Sequence, residues 1–108
     1  MQIIVGAALE TLPTITGEPF DLVFIDADKE NYVEYLQWAI RLTRSGSIIL
    51  LDNVIRDGQV LETESDDPMV RATRETLELM GRHPKLDTSV IQTVGAKHWD
   101  GFAFALVR

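Results

Sequence analysis

The chain has 108 residues, enough for one small domain, and its 45% apolar and 25% charged composition is that of an ordinary globular chain. A net charge of −7 argues against a phosphate-binding surface for nucleic acid, and no apolar run is long enough for a membrane span. The absence of cysteine excludes disulfides, thiolate metal sites and a cysteine nucleophile.

The amino-terminal segment Gln2 to Val5 is apolar and is expected to form a short strand. No basic residue precedes Lys29, so the segment does not look like a secretory signal, and a cytoplasmic location is expected. Gly6 to Leu12 reads as a short helix stopped before Pro13, and Thr14 to Pro19 as a loop. Phe20 to Asp26 is an apolar run without alternation that ends in an acid, which predicts a strand buried on both faces. Glu30 to Thr43 has helical spacing, with Tyr32, Tyr35, Leu36, Ala39, Ile40 and Leu42 as apolar positions, ended by Ser45-Gly46. Ile48 to Leu51 is a second unbroken apolar run, followed by Asp52-Asn53. Strand, helix and strand in this order form a βαβ unit. A polar loop from Arg56 to Pro68 follows, whose acids from Glu62 to Asp67 read as solvated surface. Met69 to Arg82 reads as a helix with Val70, Thr73, Leu77 and Met80 on one face. Leu86 to Val94 and Phe102 to Val107 read as an antiparallel pair joined by Gly95 to Gly101, which carries the turn signal Asp100-Gly101.

In open parallel α/β sheets, ligands bind beyond the carboxyl ends of the strands. Neighbouring strands lie about 4.8 Å apart, so Asp26, Asp52 and Asn53 would gather in a small space. Two carboxylates and an amide carbonyl are hard donors, suited to Mg²⁺, Mn²⁺ or Ca²⁺. An acid at a strand end is also a common turn former or helix cap, and that reading stays open for each acid singly. Lys29, at the start of the following helix, is a surface lysine or a base beside the metal.

The stretch Phe20-Asp21-Leu22-Val23-Phe24-Ile25-Asp26-Ala27-Asp28-Lys29-Glu30-Asn31-Tyr32 resembles a signature of the caffeoyl-CoA and catechol O-methyltransferase family. Ser45-Gly46-Ser47-Ile48-Ile49-Leu50-Leu51-Asp52-Asn53-Val54 is similar to the next block of that family, Gly58-Gln59-Val60 to its following loop, and Asp100-Gly101 to the turn before its last strand. The resemblance covers nearly all of the chain. It implies a SAM-dependent (S-adenosylmethionine-dependent), divalent-metal-dependent enzyme acting on a hydroxyl of a catechol-like aromatic small molecule. It assigns Asp26, Asp52 and Asn53 as metal ligands, with Mg²⁺ foremost and Mn²⁺ or Ca²⁺ as alternatives. It assigns Lys29 as general base, and Ala8, Asp26 and Asp28 as donor contacts. The fold it implies is a Rossmann-like α/β sheet of order 3-2-1-4-5-7-6, and residues 1–108 are expected to be the carboxyl-terminal portion of that domain.

The chain departs from the family pattern in several places. Ser47 stands where a second glycine is usual. Arg56 and Asp57 replace an aromatic residue and a polar partner of the acceptor, which puts caffeoyl-CoA in doubt as substrate. Lys97-His98-Trp99 reads as an insertion, with Trp99 either closing over a substrate or packing on the hairpin end, and His83 and His98 read as structural or surface residues. No glycine-rich donor turn occurs, so the first two strands are expected to be absent and the chain alone inactive or nearly so. Phe20 to Asp26 would then be an open sheet edge, and a homo-oligomer, most simply a dimer through that edge, is expected. The alternative is a catalytically inactive metal-binding or self-associating α/β module. A P-loop enzyme is disfavoured by the absence of a Gly-x-x-x-x-Gly-Lys-Ser/Thr loop.

Overall fold

A computed structural model of the protein describes residues 1–95 and 99–108. Its sheet contains β1 (Phe20–Ile25), β2 (Thr43–Asp52), β3 (Leu86–Val94) and β4 (Trp99–Val107), in the order β1-β2-β4-β3. The pair β1 and β2 is parallel, and β4 runs antiparallel to both β2 and β3. This is the order expected for the last four strands of the family sheet. The helices are α1 (Ala8–Thr11), α2 (Tyr32–Leu42) and α3 (Pro68–Arg82).

The crossover β1-α2-β2 follows from its sequence. Helix α2 buries Tyr32, Tyr35, Leu36 and Ala39, the face that its apolar spacing marks. Each large side chain so buried contributes about 1.5–3 kcal/mol. Alternate strand residues Ile25, Ile49, Leu51, Ala103 and Ala105 meet that face, with Val54 and Met80 of the same core. Helix α3 begins at Pro68 after Asp67, whose side chain accepts a hydrogen bond from Met69 N at 2.9 Å. One acid of the expected solvated loop is therefore a helix cap. Its buried residues are Val70, Thr73, Thr76 and Met80, close to the predicted face. His83 ends the helix, donating its backbone N–H to Leu79 O and accepting from Lys85 N at Nδ1, a structural role as expected.

Several expectations need correction. Gln2 to Val5 forms no strand; Ile3 and Val5 are exposed. An extended segment needs a ladder partner for its backbone groups, and none lies beside it among the described residues. Strand β1 forms where predicted, yet it is not buried on both faces. It is an edge strand, and Phe20, Leu22 and Phe24 face outward, Leu22 and Phe24 at 56% and 58% exposure. The same outer face continues across the sheet in register, Leu22 to Ile48 to Leu106 and Phe24 to Leu50 to Phe104. Ser45-Gly46 does not end the helix, which stops at Leu42; both residues lie in β2. Ser47 fills an irregularity of the β1–β2 register between Phe20 and Leu22. Its buried hydroxyl donates to Phe20 O at 2.8 Å and accepts from Arg44 N at 3.1 Å. Asp100-Gly101 is not a turn but part of β4, paired with Thr93 and Gln92. The Lys97-His98 part of the expected insertion and the reading of His98 lie outside the described residues.

Candidate functional site

The parallel register pairs Ile25 with Leu51, so Asp26 and Asp52 leave the sheet side by side at the carboxyl ends of β1 and β2. Strand spacing puts their backbones about 5 Å apart. Asn53 follows in the left-handed conformation, φ 58°, which turns the chain sharply off the sheet. The Asp52 carboxylate accepts a hydrogen bond from the Asn53 backbone N–H at 2.8 Å. The three residues proposed as ligands therefore share one end of the sheet. No group of three or more His, Cys, Asp and Glu residues forms a cluster among the described residues, so any cation here relies on two acids and an amide.

Lys29 begins the single 3-10 turn Lys29–Asn31 that precedes α2, and it is buried, at 7% exposure. Its ammonium lies 3.4 Å from Asp26 Oδ1 and donates to the Tyr32 hydroxyl. That hydroxyl donates in turn to the backbone carbonyl of Asp52 at 3.1 Å. The ammonium also sits 4.6 Å from the centre of the Tyr32 ring. Burial pushes the Tyr32 phenol above its ordinary value, against the lowering effect of Lys29, so it stays a neutral donor at neutral pH. Tyr32 thus ties the lysine to the chain segment carrying Asp52. In the sequence Tyr32 stands out only as an apolar position of α2, because the partner that gives its hydroxyl a role is 20 residues away.

The loop after β2 is held from the other side by Asp100. Its Oδ1 accepts from the backbone N–H groups of Ile55 at 3.1 Å, Arg56 at 2.9 Å and Gly101 at 2.8 Å, and its Oδ2 from Asn53 Nδ2 at 3.2 Å. Burial pushes the Asp100 carboxyl up, but these four donors outweigh it and hold the group below its ordinary value. The loop needs such an anchor. Asn53, Arg56 and Asp57 all have positive φ, a conformation uncommon for residues with a Cβ. Gly58 continues it at φ 82°, and a Cβ there would lie 2.7 Å from the Trp99 ring. Trp99 packs on this loop, and its backbone N–H donates to Asp57 Oδ1 at 2.8 Å. The ring thus meets the loop after β2 at Gly58, a contact that neither reading of Trp99 named. Gly101 is required for a different reason: a Cβ would lie 2.5 Å from Ile91 O.

A cavity of about 370 Å³ opens on this side, lined by Lys29, Asn53, Arg56, Asp57, Gln59 and Asp100. A second space, about 410 Å³, is lined by Ala8 and Asp28 together with Asn31 and Tyr35. Asp26 lines a third, about 200 Å³, again with Ala8 and Tyr35. The three residues assigned to the donor by resemblance therefore border two neighbouring cavities that share Ala8, Ala27 and Tyr35. The Asp28 carboxylate accepts from the Tyr35 hydroxyl and from Asn31 Nδ2. The bond from Tyr35 holds Asp28 below the usual carboxylate value, with burial opposing. Burial and the Asp28 carboxylate push Tyr35 up to about 12.

The donor set fits a hard divalent cation. Asn53 commits its amide nitrogen to Asp100, and no donor among the described residues reaches its Oδ1. The carboxylates of Asp26 and Asp52 have acceptor capacity left, since each accepts from one side-chain or backbone donor among the described residues. All-oxygen donors of this kind suit magnesium, manganese or calcium rather than a soft metal.

Comparison with known proteins gives a consistent picture. A family model described as O-methyltransferase matches residues 1–105. Over 108 residues the chain is 64% identical to a catechol O-methyltransferase of Mycobacterium tuberculosis, a match that covers 100% of this chain and 49% of that protein. Among solved structures, it is similar to an O-methyltransferase from Bacillus cereus in complex with SAH, with a TM-score of 0.91 and 43% identity over 95% of this chain and 48% of that one. It is also similar to the O-methyltransferase TomG of Streptomyces achromogenes, involved in tomaymycin synthesis and solved with SAM. There the TM-score is 0.90 and the identity 40%, over 94% of this chain and 47% of that one. The chain spans about half the length of the curated relatives it matches. Among the described residues no helix is long and apolar enough to cross a membrane.

Proposed function

Because the chain belongs to the O-methyltransferase family, we propose that it carries the acceptor and metal side of a SAM-dependent, divalent-metal-dependent O-methyltransferase acting on a catechol-like hydroxylated aromatic compound. The observation that carries this reading is the β1–β2 register, which brings Asp26 and Asp52 together beside Asn53 with Lys29 Nζ 3.4 Å from Asp26. A divalent cation bound by Asp26, Asp52 and Asn53 would supply Lewis-acid polarisation of the acceptor oxygens. Lys29 Nζ, held by Tyr32 and Asp26, takes the proton of the reacting hydroxyl as the free amine, once it has released its own proton to solvent. Ala8, Asp26 and Asp28 border the space for the methyl donor, whose electrophilic methyl group is the other reactant. Holding the acceptor hydroxyl against the donor methyl in line supplies much of the rate. The remaining half of the relatives' length has no counterpart here, so the chain by itself has little or no transferase activity. We place the protein in the cytoplasm.

A second reading has its own support. The unpaired β1 edge and the uncovered apolar face beside it favour a self-associating α/β module, in which two copies pair along β1.

Calorimetric titration of Mg²⁺ tests the metal site. One ion per chain, lost in Asp52→Ala, is expected, and unchanged binding in that variant would remove the ligand assignment. Titration of SAM with and without Mg²⁺ then tests the donor side. No heat is expected if donor binding needs more polypeptide than this chain provides. Micromolar binding weakened by Asp26→Ala would mean that the chain, alone or as a dimer, forms a working donor pocket.

A further inference from the structure

The acceptor-side cavity is lined by one cation that the proposed chemistry does not use. Of its lining residues, Asp100 is consumed by four donors, Asp57 Oδ1 accepts from Trp99, and Lys29 is tied to Asp26 and Tyr32. The Arg56 guanidinium makes neither an ion pair nor a hydrogen bond among the described residues, whose ion pairs are Lys29–Asp26, Arg44–Asp21 and Arg108–Asp87. The residue is only partly exposed, and its backbone is fixed: φ is 52° and its N–H is held by Asp100 at 2.9 Å. A rigid backbone at the wall of a cavity, with a guanidinium that no carboxylate among the described residues pairs, leaves a planar fork of five N–H donors for whatever fills the space. The cavity, about 370 Å³, is at the small end of the usual range for small-ligand sites and has room for one substituted ring.

We propose that Arg56 selects the acceptor by binding a carboxylate on it, so that the substrate class is a vicinal dihydroxy aromatic acid rather than a neutral catechol or a thioester. This rests on the acceptor reading above and adds to it a second point of attachment. The diol end lies toward Asp52 and Asn53, and the acid end toward Arg56. Arginine forms two parallel hydrogen bonds with a carboxylate, and an ester or thioester at the same position offers no charge to it.

The test is binding of protocatechuate, its neutral methyl ester and benzoate to the 108-residue chain with Mg²⁺ present, by calorimetry or NMR titration. Arg56→Gln and Arg56→Lys are compared after circular dichroism has shown both to be folded. We expect protocatechuate to bind about tenfold or more tightly than its ester. Arg56→Gln should erase that preference, and Arg56→Lys should restore part of it, since the charge returns without the fork. Equal binding of protocatechuate and ester to the unsubstituted chain, or a preference that survives Arg56→Gln, overturns the role of Arg56 and leaves the catechol reading standing. If benzoate matches protocatechuate and both weaken in Arg56→Gln, the arginine site stands and the diol reading falls. If none of the three compounds binds, both fall.

Discussion

Replacement of Asp100 by alanine removes the acceptor for four N–H groups at once. Three belong to the backbone, of Ile55, Arg56 and Gly101, and the fourth to the Asn53 side chain. A hydrogen bond to a charged group is worth about 1.5–3 kcal/mol when its loss leaves the partner buried. Asp100 is only partly buried, and water will reach some of these donors, so the sum is well below four times that figure. The left-handed residues Asn53, Arg56 and Asp57 also relax once their tether is gone, which returns part of the cost. We expect Asp100→Ala to destabilise the fold by roughly 2–4 kcal/mol, a fall in Tm of roughly 10–20 °C. Asp100→Asn retains one acceptor oxygen but sets its NH₂ against that of Asn53, and should cost about half as much. The folded-state pKa of Asp100 is depressed, so its contribution is complete above the ordinary value of 3.8 and is lost as pH falls through the lower folded value. The gap between the unsubstituted chain and Asp100→Asn should therefore narrow only in strong acid. Urea unfolding followed by circular dichroism at neutral pH and near pH 3 measures both effects. An Asp100→Ala variant within about 0.5 kcal/mol of the unsubstituted chain would refute the claim that this carboxylate holds the loop.

Gly58→Ala should cost more than about 1 kcal/mol, because φ is 82° and the new methyl would meet the Trp99 ring; pairing it with Trp99→Ala should recover the steric part but not the backbone part. Tyr35 has a folded pKa of about 12 against an ordinary 10.0, so its contribution is complete below 10 and lost as pH rises toward 12. Alkaline unfolding of Tyr35→Phe should lack that component, and an identical pH profile would show that its bond to Asp28 contributes nothing. The open β1 edge and its outward Leu22 and Phe24 should bring two copies together, so light scattering at micromolar concentration should give a dimer that Leu22→Lys weakens. A monomer at every concentration would remove the self-association reading.

Much of the fold can be read from residue pattern because its elements are strongly patterned. Two unbroken apolar runs flanking an amphipathic segment could hardly be anything but β1, α2 and β2, and both runs end in an acid. Once the strands are parallel neighbours, Asp26 and Asp52 have to emerge together. What pattern could not supply was the dependence of each element on a partner. Gln2 to Val5 has the composition of a strand but no ladder to join, and β1 has the composition of a central strand but stands at an edge with its Phe24 face uncovered. An apolar run records what a segment can bury, not whether anything lies beside it to bury it.

The supporting residues of the site were hidden for a related reason. Asp-Gly is a turn signal when only neighbours in sequence are considered. In the fold, Gly101 is selected by the closeness of Ile91 O, and Asp100 by donors 44 to 47 residues away. Tyr32 likewise earns its hydroxyl from the carbonyl of Asp52, across the crossover. In both cases a long-range polar contact fixes a segment that local conformation would not hold in place. Asn53 turns left-handed directly after β2 so that its side chain stays beside Asp52, a conformation asparagine tolerates better than most residues with a Cβ and one that the bond to Asp100 holds in place. A sequence can carry the two acids and the amide at the right spacing and still misplace the amide if the residue equivalent to Asp100 no longer accepts from it. An acceptor at position 100 is thus a requirement of the site in addition to the ligand spacing.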